Sequence, residues 1–563
     1  MTTLRSLAVL VGCALVSTCA ALSMAPTATA RTAASNVAAG APYTVTRAYP
    51  DDHYHQLETG SYPDVDHELT DGRRGSLEFT DPAWVGYAQQ LSRDIVVDLR
   101  GTKTVRRLTT NFLYYPSAGI VLPATVRYSL SLDGRIWRVV GSTPGDNRAV
   151  RDTTREVTLD IAPTYARFVK VSFDVNGWAF TDEIAVLGTE GREAGARPPS
   201  GPIDRPEDPS DNDYLAQGTA RVGGVRDMYL AYTYDTRSEN AELGTWRHDD
   251  LLPVIGHLDA DGRPTDRMFD SVLFMAGGSE LDGYQTKDRW ADLLDRLFAP
   301  GVNVDALDAA AGTLRRALDE RGSGAAGATV KVVLPIPNPV PHSEVPWGTL
   351  DGEELDLNPA RVGNAASTAN RLKVVRWYVD EALERYRAAH HDRLELVGFY
   401  WMREAIPPRS LDSDLVALVA KDLHRPRGVG RGPLKFYWIP YYVAQGFQHW
   451  ESYGFDASMM QPNFFFDAGL PPTDTERLER TAELARWTGQ GVELEGDRPM
   501  LTDPGARTKF LGYLETFDRT GADRAIAGYY WGAKDVLLSI VRHPDAQVRA
   551  TYDAAYEFIA ESR

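Results

Sequence analysis

Two short stretches place carboxylates where carboxylates need a reason. In ELVGFYWMRE (395–404) an apolar run, Leu396 to Met402, carries Glu404 just past its end. In GVELEGD (491–497) a second buried-strand pattern carries Glu493 and Glu495. These two lie two residues apart and so point to one face of a strand. A pair of facing acids suits glycosidic bond cleavage. One protonates the leaving oxygen, while the other attacks the anomeric carbon or activates a water. Separations of about 5 Å favour retention and about 6.5–9.5 Å inversion. Sequence spacing does not choose between those outcomes, nor between Glu493 and Glu495 as the second acid. A single such acid could simply be a loop carboxylate bridged to Arg403 or Arg409; two such strands are harder to explain that way.

The elements that must position these acids recur in a regular order. Eight strand candidates follow one another: 227–233, 271–275, 331–336, 394–402, 434–440, 457–461, 491–494 and 525–531. Amphipathic helical stretches separate most of them: 290–297, 304–321, 366–388, 412–422, 473–487, 506–519 and 548–560. Strand–helix alternation on this scale predicts a parallel sheet closed into a (β/α)8 barrel over 218–563, with an open doubly wound sheet as the alternative. No glycine-rich nucleotide fingerprint follows the first strand, since Asp235–Gly244 has only one glycine. Barrel active sites sit at the C-terminal strand ends. Glu404 then ends the fourth strand and the Glu493/Glu495 pair the seventh, across one mouth. Other strand ends would supply Tyr232, Tyr234, Trp401, Arg403, Tyr441, Tyr442, Gln461, Asn463, Tyr530 and Trp531. Aromatic faces and amides of this kind suit sugar rings and hydroxyls, although aromatics at barrel strands also serve as core. The loops 277–289 and 337–358 are long enough to wall a cleft or close a pocket.

The first part of the chain has a different pattern. Residues 41–191 read as all-β, with short strand runs at 95–99, 106–114, 124–132, 136–140, 156–161, 166–174 and 183–187. Turn signals such as Asp133-Gly134 and Asn176-Gly177 separate several of them. Residues 192–217, with Pro198, Pro199, Pro202, Pro206 and Pro209, read as a linker. Residues 1–30 read as a signal peptide: Arg5, an apolar core from Leu7 to Leu22, and Ala28-Thr29-Ala30 as a cleavage site. A membrane anchor is the alternative, but the run is short of the ~20 residues of a span. Both cysteines, Cys13 and Cys19, lie in this segment. The processed chain would therefore have no disulfide, thiolate nucleophile or cysteine–metal site.

The order Leu69-Thr70-Asp71-Gly72, Trp84-Val85-Gly86-Tyr87, VRYSLSLDGRIW (126–137) and ARFVKVSF (166–173) resembles the discoidin-like, galactose-binding-like β-sandwich. That resemblance implies a binding module, with Trp84, Tyr87, Tyr114, Tyr115 and Trp178 as stacking candidates or core aromatics. It also implies a structural calcium near Asp71. In the barrel region, a glutamate ending strand four, a glutamate ending strand seven and Trp531 ending strand eight resemble clan A of the glycoside hydrolases. Arg403 stands where that clan usually has asparagine. The stretches GFYWMRE, FYWIPYY, QPNFFF and ELEGD resemble the secreted bacterial family called domain of unknown function 4855. Taken with the clan, the resemblance implies Glu404 as acid/base, Glu495 as nucleophile and Glu493 as a supporting acid in a secreted, retaining enzyme that needs no cofactor.

The net charge of −18 argues against nucleic-acid or anionic-membrane partners. A metallohydrolase would need clustered ligands, yet His342 is isolated, His390-His391 follows a helix, and His248-Asp249-Asp250 has poor strand context. No G-x-S-x-G elbow is present. A non-catalytic carbohydrate-binding protein on a barrel scaffold is the alternative from outside enzymology. Sugar, linkage and oligomeric state are not readable.

Overall fold

The computed structural model describes residues 34–47, 60–88, 91–205, 212–235, 237–277, 286–322, 329–428 and 432–563. The expected signal peptide, part of the linker and most of the loop 277–289 lie outside these residues. The N-terminal region is an antiparallel β-sandwich. Its strands run in the order Ser35–Asn36, Trp178–Glu190, Ser92–Tyr114, Thr153–Asp174, Thr125–Ser131 and Arg138–Pro144. Tyr43–Arg47 adds to Ser92–Tyr114, and Val85–Ala88 adds to Trp178–Glu190. Two pairs of expected short strands are in fact single long ones, Ser92–Tyr114 and Thr153–Asp174. Their shared ladder shifts register between Asp98 and Lys103, where Arg100 takes a left-handed φ of 61°. That polar, irregular stretch reads as a turn in sequence, but the strands bend there without ending.

The second region is a closed barrel of eight parallel strands. In chain order they are Asp227–Thr233, Ser271–Ala276, Val330–Ile336, Leu394–Trp401, Lys435–Trp438, Ala457–Met460, Gly491–Glu495 and Ala527–Tyr530. The last pairs with the first, Gly528 opposite Met228, which closes the ring. Strands in such a barrel are buried on both faces, which explains their near-continuous apolar sequences. Helices such as Asn364–Ala389 and Pro504–Thr520 cover the outside. The loop after strand three folds into a small hairpin, Gly348–Leu350 with Glu353–Leu355.

The segment between the regions is anchored at both described ends. Asp204 is buried and bonded to Lys170 at 2.7 Å and to Ser129 at 2.8 Å. On the barrel side, Leu215 N–H donates to Gln490 O. The sandwich also packs directly on the loop and helix that follow barrel strand four and on the loop after strand five. Arg148 makes a bidentate pair with Asp414 at 2.6 and 2.8 Å. Asn147 Nδ2 donates to both Leu122 O and Pro408 O. The His449 ring pairs with Asp174 at 3.1 Å, and Gly446 N–H donates to Asn176.

Candidate active site

Three carboxyl groups meet in a cavity of about 130 Å³ at the C-terminal end of the barrel: Glu404, Glu493 and Glu495. Tyr232, Tyr400, Phe466 and Tyr530 form aromatic walls, Gln461 and Asn463 add amides, and Leu230, Met275 and Ile439 complete the lining. Strand alternation sets who faces inward. Glu493 and Glu495 pair with Gly528 and Tyr530 of the next strand, so both acids lie on the interior side.

Glu404 lies three residues beyond the end of a strand, at Trp401, whose exit is pinned. Trp438 Nε1 donates to Arg403 O at 2.8 Å, Ile406 N–H to Gln445 O at 2.9 Å, and Tyr453 Oη to Ile406 O at 3.0 Å. Gln461 hydrogen-bonds the Glu404 carboxyl while its amide also donates to Ile439 O. Burial outweighs the Gln461 bond and raises the Glu404 carboxyl above its ordinary range.

Glu495 is held most tightly. Its Oε1 accepts from Asn463 N–H at 3.2 Å, and its Oε2 from the Tyr513 hydroxyl. Tyr513 in turn accepts from Phe465 N–H at 3.0 Å. Asn463 sits at φ 52°, a left-handed conformation that asparagine tolerates better than most residues. That turn brings the N–H groups of residues 463–465 toward one carboxylate. Lys509, one helical turn before Tyr513, braces the same turn by donating to Phe464 O and Asp467 O. Burial still pushes the Glu495 carboxyl up to about 7, although these donors pull it down. Among the described residues no such donor reaches Glu493. Burial first, then the charges of Glu495 and Glu404, raises it well above the carboxylate range.

The three acids cannot all ionise at neutral pH without strong mutual repulsion. Burial raises all three; Gln461 opposes it at Glu404, and the Asn463 N–H and Tyr513 hydroxyl oppose it at Glu495. Among the described residues no lysine, arginine or histidine lines the cavity.

Of the other expected residues, Tyr232, Gln461, Asn463 and Tyr530 line the cavity. Tyr441 and Tyr234 stand outside it, Tyr441 close enough to feel the Glu404 charge and Tyr234 that of Asp497. Trp401 is fully buried against Phe436, and Trp531 against Phe510. Tyr442 is buried under the Arg477 guanidinium. Arg403 turns away to Asp412, 3.3 Å distant, and to Ala405 O. Asp497 caps the short helix Arg498–Leu501. Sequence reasoning missed Tyr400, Phe466 and Tyr513. In the sandwich, Trp84, Tyr87 and Tyr114 are core residues, while Tyr115 and Trp178 are half-buried beside Tyr62 and Phe79. Asp71 Oδ1 accepts from Arg73 N–H, and no metal-holding group of three His, Cys, Asp or Glu side chains occurs among the described residues.

The fold and cavity define a (β/α)8 barrel protein with three carboxyls at its mouth and an antiparallel sandwich docked beside it. Residues 227–557 match the family described as "Domain of unknown function (DUF4855)", more than half of the chain, and the chain belongs to that family. Residues 53–184 match the F5/8 type C domain. No curated protein matches. Among solved structures, similarity extends to CpGH89CBM32-5 from Clostridium perfringens in complex with GalNAc-β-1,3-galactose. Identity there is 18%, covering 27% of this chain and 98% of that one, with a TM-score of 0.20. A Streptococcus pneumoniae fucose binding module is 17% identical over 27% of this chain and 95% of its own, with a TM-score of 0.20. SpGH29 is 16% identical with a TM-score of 0.19; the alignment covers 28% of each chain.

Proposed function

We propose that this protein is a secreted glycoside hydrolase that cleaves a poly- or oligosaccharide by double displacement. The observation that carries the proposal is the meeting of Glu404 and Glu495, from the fourth and seventh strands, in one aromatic-lined cavity. Burial raises the Glu404 carboxyl, the direction a general acid requires, while the Asn463 N–H and the Tyr513 hydroxyl favour the ionised form of Glu495. In this reading Glu404 protonates the glycosidic oxygen as Glu495 Oε attacks the anomeric carbon. Glu404, now ionised, then takes a proton from the water that releases the sugar. Each Glu495 oxygen keeps a further lone pair beyond the hydrogen bond it accepts. Glu493 stays neutral beneath them and limits the charge of the cavity.

At about 130 Å³ the cavity is smaller than the ~300–1,000 Å³ common for ligand pockets. This supports a subsite for one ring, with Phe466, half exposed at its rim, facing the next. The sandwich would hold part of the same glycan. No helix among the described residues is long and apolar enough to cross a membrane.

The test is a polysaccharide screen with product analysis, followed by a mechanism-based 2-fluoroglycoside of the sugar identified. A covalent adduct mapped to Glu495 by peptide mass spectrometry is expected. An adduct on another residue refutes the assignment of the nucleophile. Binding of glycans with no cleavage in any assay would favour a non-catalytic carbohydrate-binding protein.

A further inference from the structure

A second and larger cavity, about 400 Å³, opens at the opposite end of the barrel. Its walls are the segments that enter strands one to four, at Arg226, Arg267, Lys331 and Arg393. One face of the helix Asn303–Glu320 closes it with Ala311, Leu314, Arg315 and Leu318. Strand length separates it from the glutamates by on the order of 20 Å.

The charge of this lining runs against that of the chain. Arg226, Arg267, Arg315, Lys331, Arg393 and Arg563 all border it, in a protein of net charge −18. The acids of the lining are Asp266, Asp270 and Asp392. Asp270 is already committed to Lys331 at 2.7 Å and to the N–H groups of Arg226 and Asp227. Asp266 accepts from the Tyr556 hydroxyl and from Arg267 N–H. Arg393 is paired with Asp308, and Arg563 donates to Arg267 O and Met268 O. Arg226, Arg267 and Arg315 make no ion pair among the described residues, unlike Lys331 and Arg393 of the same lining. Burial and the nearby Arg563 disfavour the charge on Arg267, so an anion placed there would relieve it.

Guanidinium groups without carboxylates recognise tetrahedral oxyanions through paired N–H donors. The volume exceeds what a bare oxyanion needs and falls in the range of sites for small organic ligands. Ile255, Phe269, Leu314 and Leu318 supply apolar surface for the remainder of such a ligand. We infer that this cavity binds a small organic phosphate or sulfate monoester, its oxyanion held by Arg226, Arg267 and Arg315. The inference is independent of any catalysis at the mouth.

Titration calorimetry of the full chain with phenyl phosphate, phenyl sulfate, inorganic phosphate and phenol tests it. At least one ester should bind with one-to-one stoichiometry, more tightly than inorganic phosphate, and phenol should not bind. Which ester binds more tightly identifies the oxyanion. Added sodium chloride should weaken the binding. Arg315→Gln, at an exposed helix position, should weaken it roughly tenfold or more, and Arg226→Gln with Arg315→Gln should abolish it. Glu404→Gln should leave it unchanged. Unaltered thermal midpoints establish that the variants are folded. Failure of both esters to bind, or binding that survives the double substitution in a folded protein, overturns the inference.

Discussion

The two ends of the barrel are electrostatic opposites. At the mouth, three carboxyls share one small cavity with no cationic side chain in its lining. At the base, six cations border a larger cavity whose acids are few and partly committed elsewhere. Between and around these ends the chain behaves conventionally. Buried Asp412 is answered by Arg371, and buried Asp204 by Lys170, each carboxyl held below its ordinary range despite burial. The fold can therefore neutralise its buried charges. At the mouth it instead gathers three buried acids with no cation beside them, and at the base it gathers cations against its own net charge. Acids raised by burial and gathered in one cavity are candidates for a working site.

The largest expected effect lies at the mouth. Glu404→Gln and Glu495→Gln should each lower glycan turnover on the order of 10³-fold or more while preserving the fold by circular dichroism. Full turnover in both would remove the catalytic meaning of the acidic end. Tyr513→Phe deletes a donor to the charged form of Glu495, so that carboxyl should become less acidic. The acid limb of the kcat/KM profile should move upward by about one pH unit. An unshifted limb would mean that Glu495 is not the group titrating there.

Glu493→Gln addresses the strain between the acids. A carboxyl raised by folding contributes stability that is fully present below its unfolded value, near 4.5, and lost as pH rises toward the folded one. The variant should therefore match the parent in thermal midpoint near pH 4 and exceed it at pH 8. A difference on the order of 1–2 kcal/mol is expected, and equal midpoints at pH 8 would contradict the raised carboxyl. The smallest effect is Phe466→Ala. It should raise KM about threefold to tenfold through loss of an aromatic contact, with a negligible change in melting, as measured by steady-state kinetics and calorimetry.

Much of this arrangement was legible in the sequence. Eight apolar runs identified the barrel strands because a parallel barrel buries both faces of each. They numbered the acid-bearing strands fourth and seventh, as found. What failed was one-residue parity. Tyr400 lines the cavity and its neighbour Trp401 does not; the same holds for Tyr530 and Trp531. A run that is apolar throughout contains no polar alternation to show which residue faces inward. Phe466 was hidden for a related reason, since it follows Phe464 and Phe465, which are both buried. Tyr513 belongs to a helix outside the strands and reaches Glu495 only through tertiary packing. The bends of the long sandwich strands were obscured by residues that read as turns.

The contacts of Asn147, Arg148 and His449 across the seam have a consequence for how a polymer would be handled. A sugar-binding module on a loose tether searches a volume, and its contribution depends on tether length. A module clamped to the segments that follow strands four and five behaves instead as a ruler. Any glycan bound to both regions would meet the mouth at a set number of residues from its point of attachment, and the spacing of the products would record that distance.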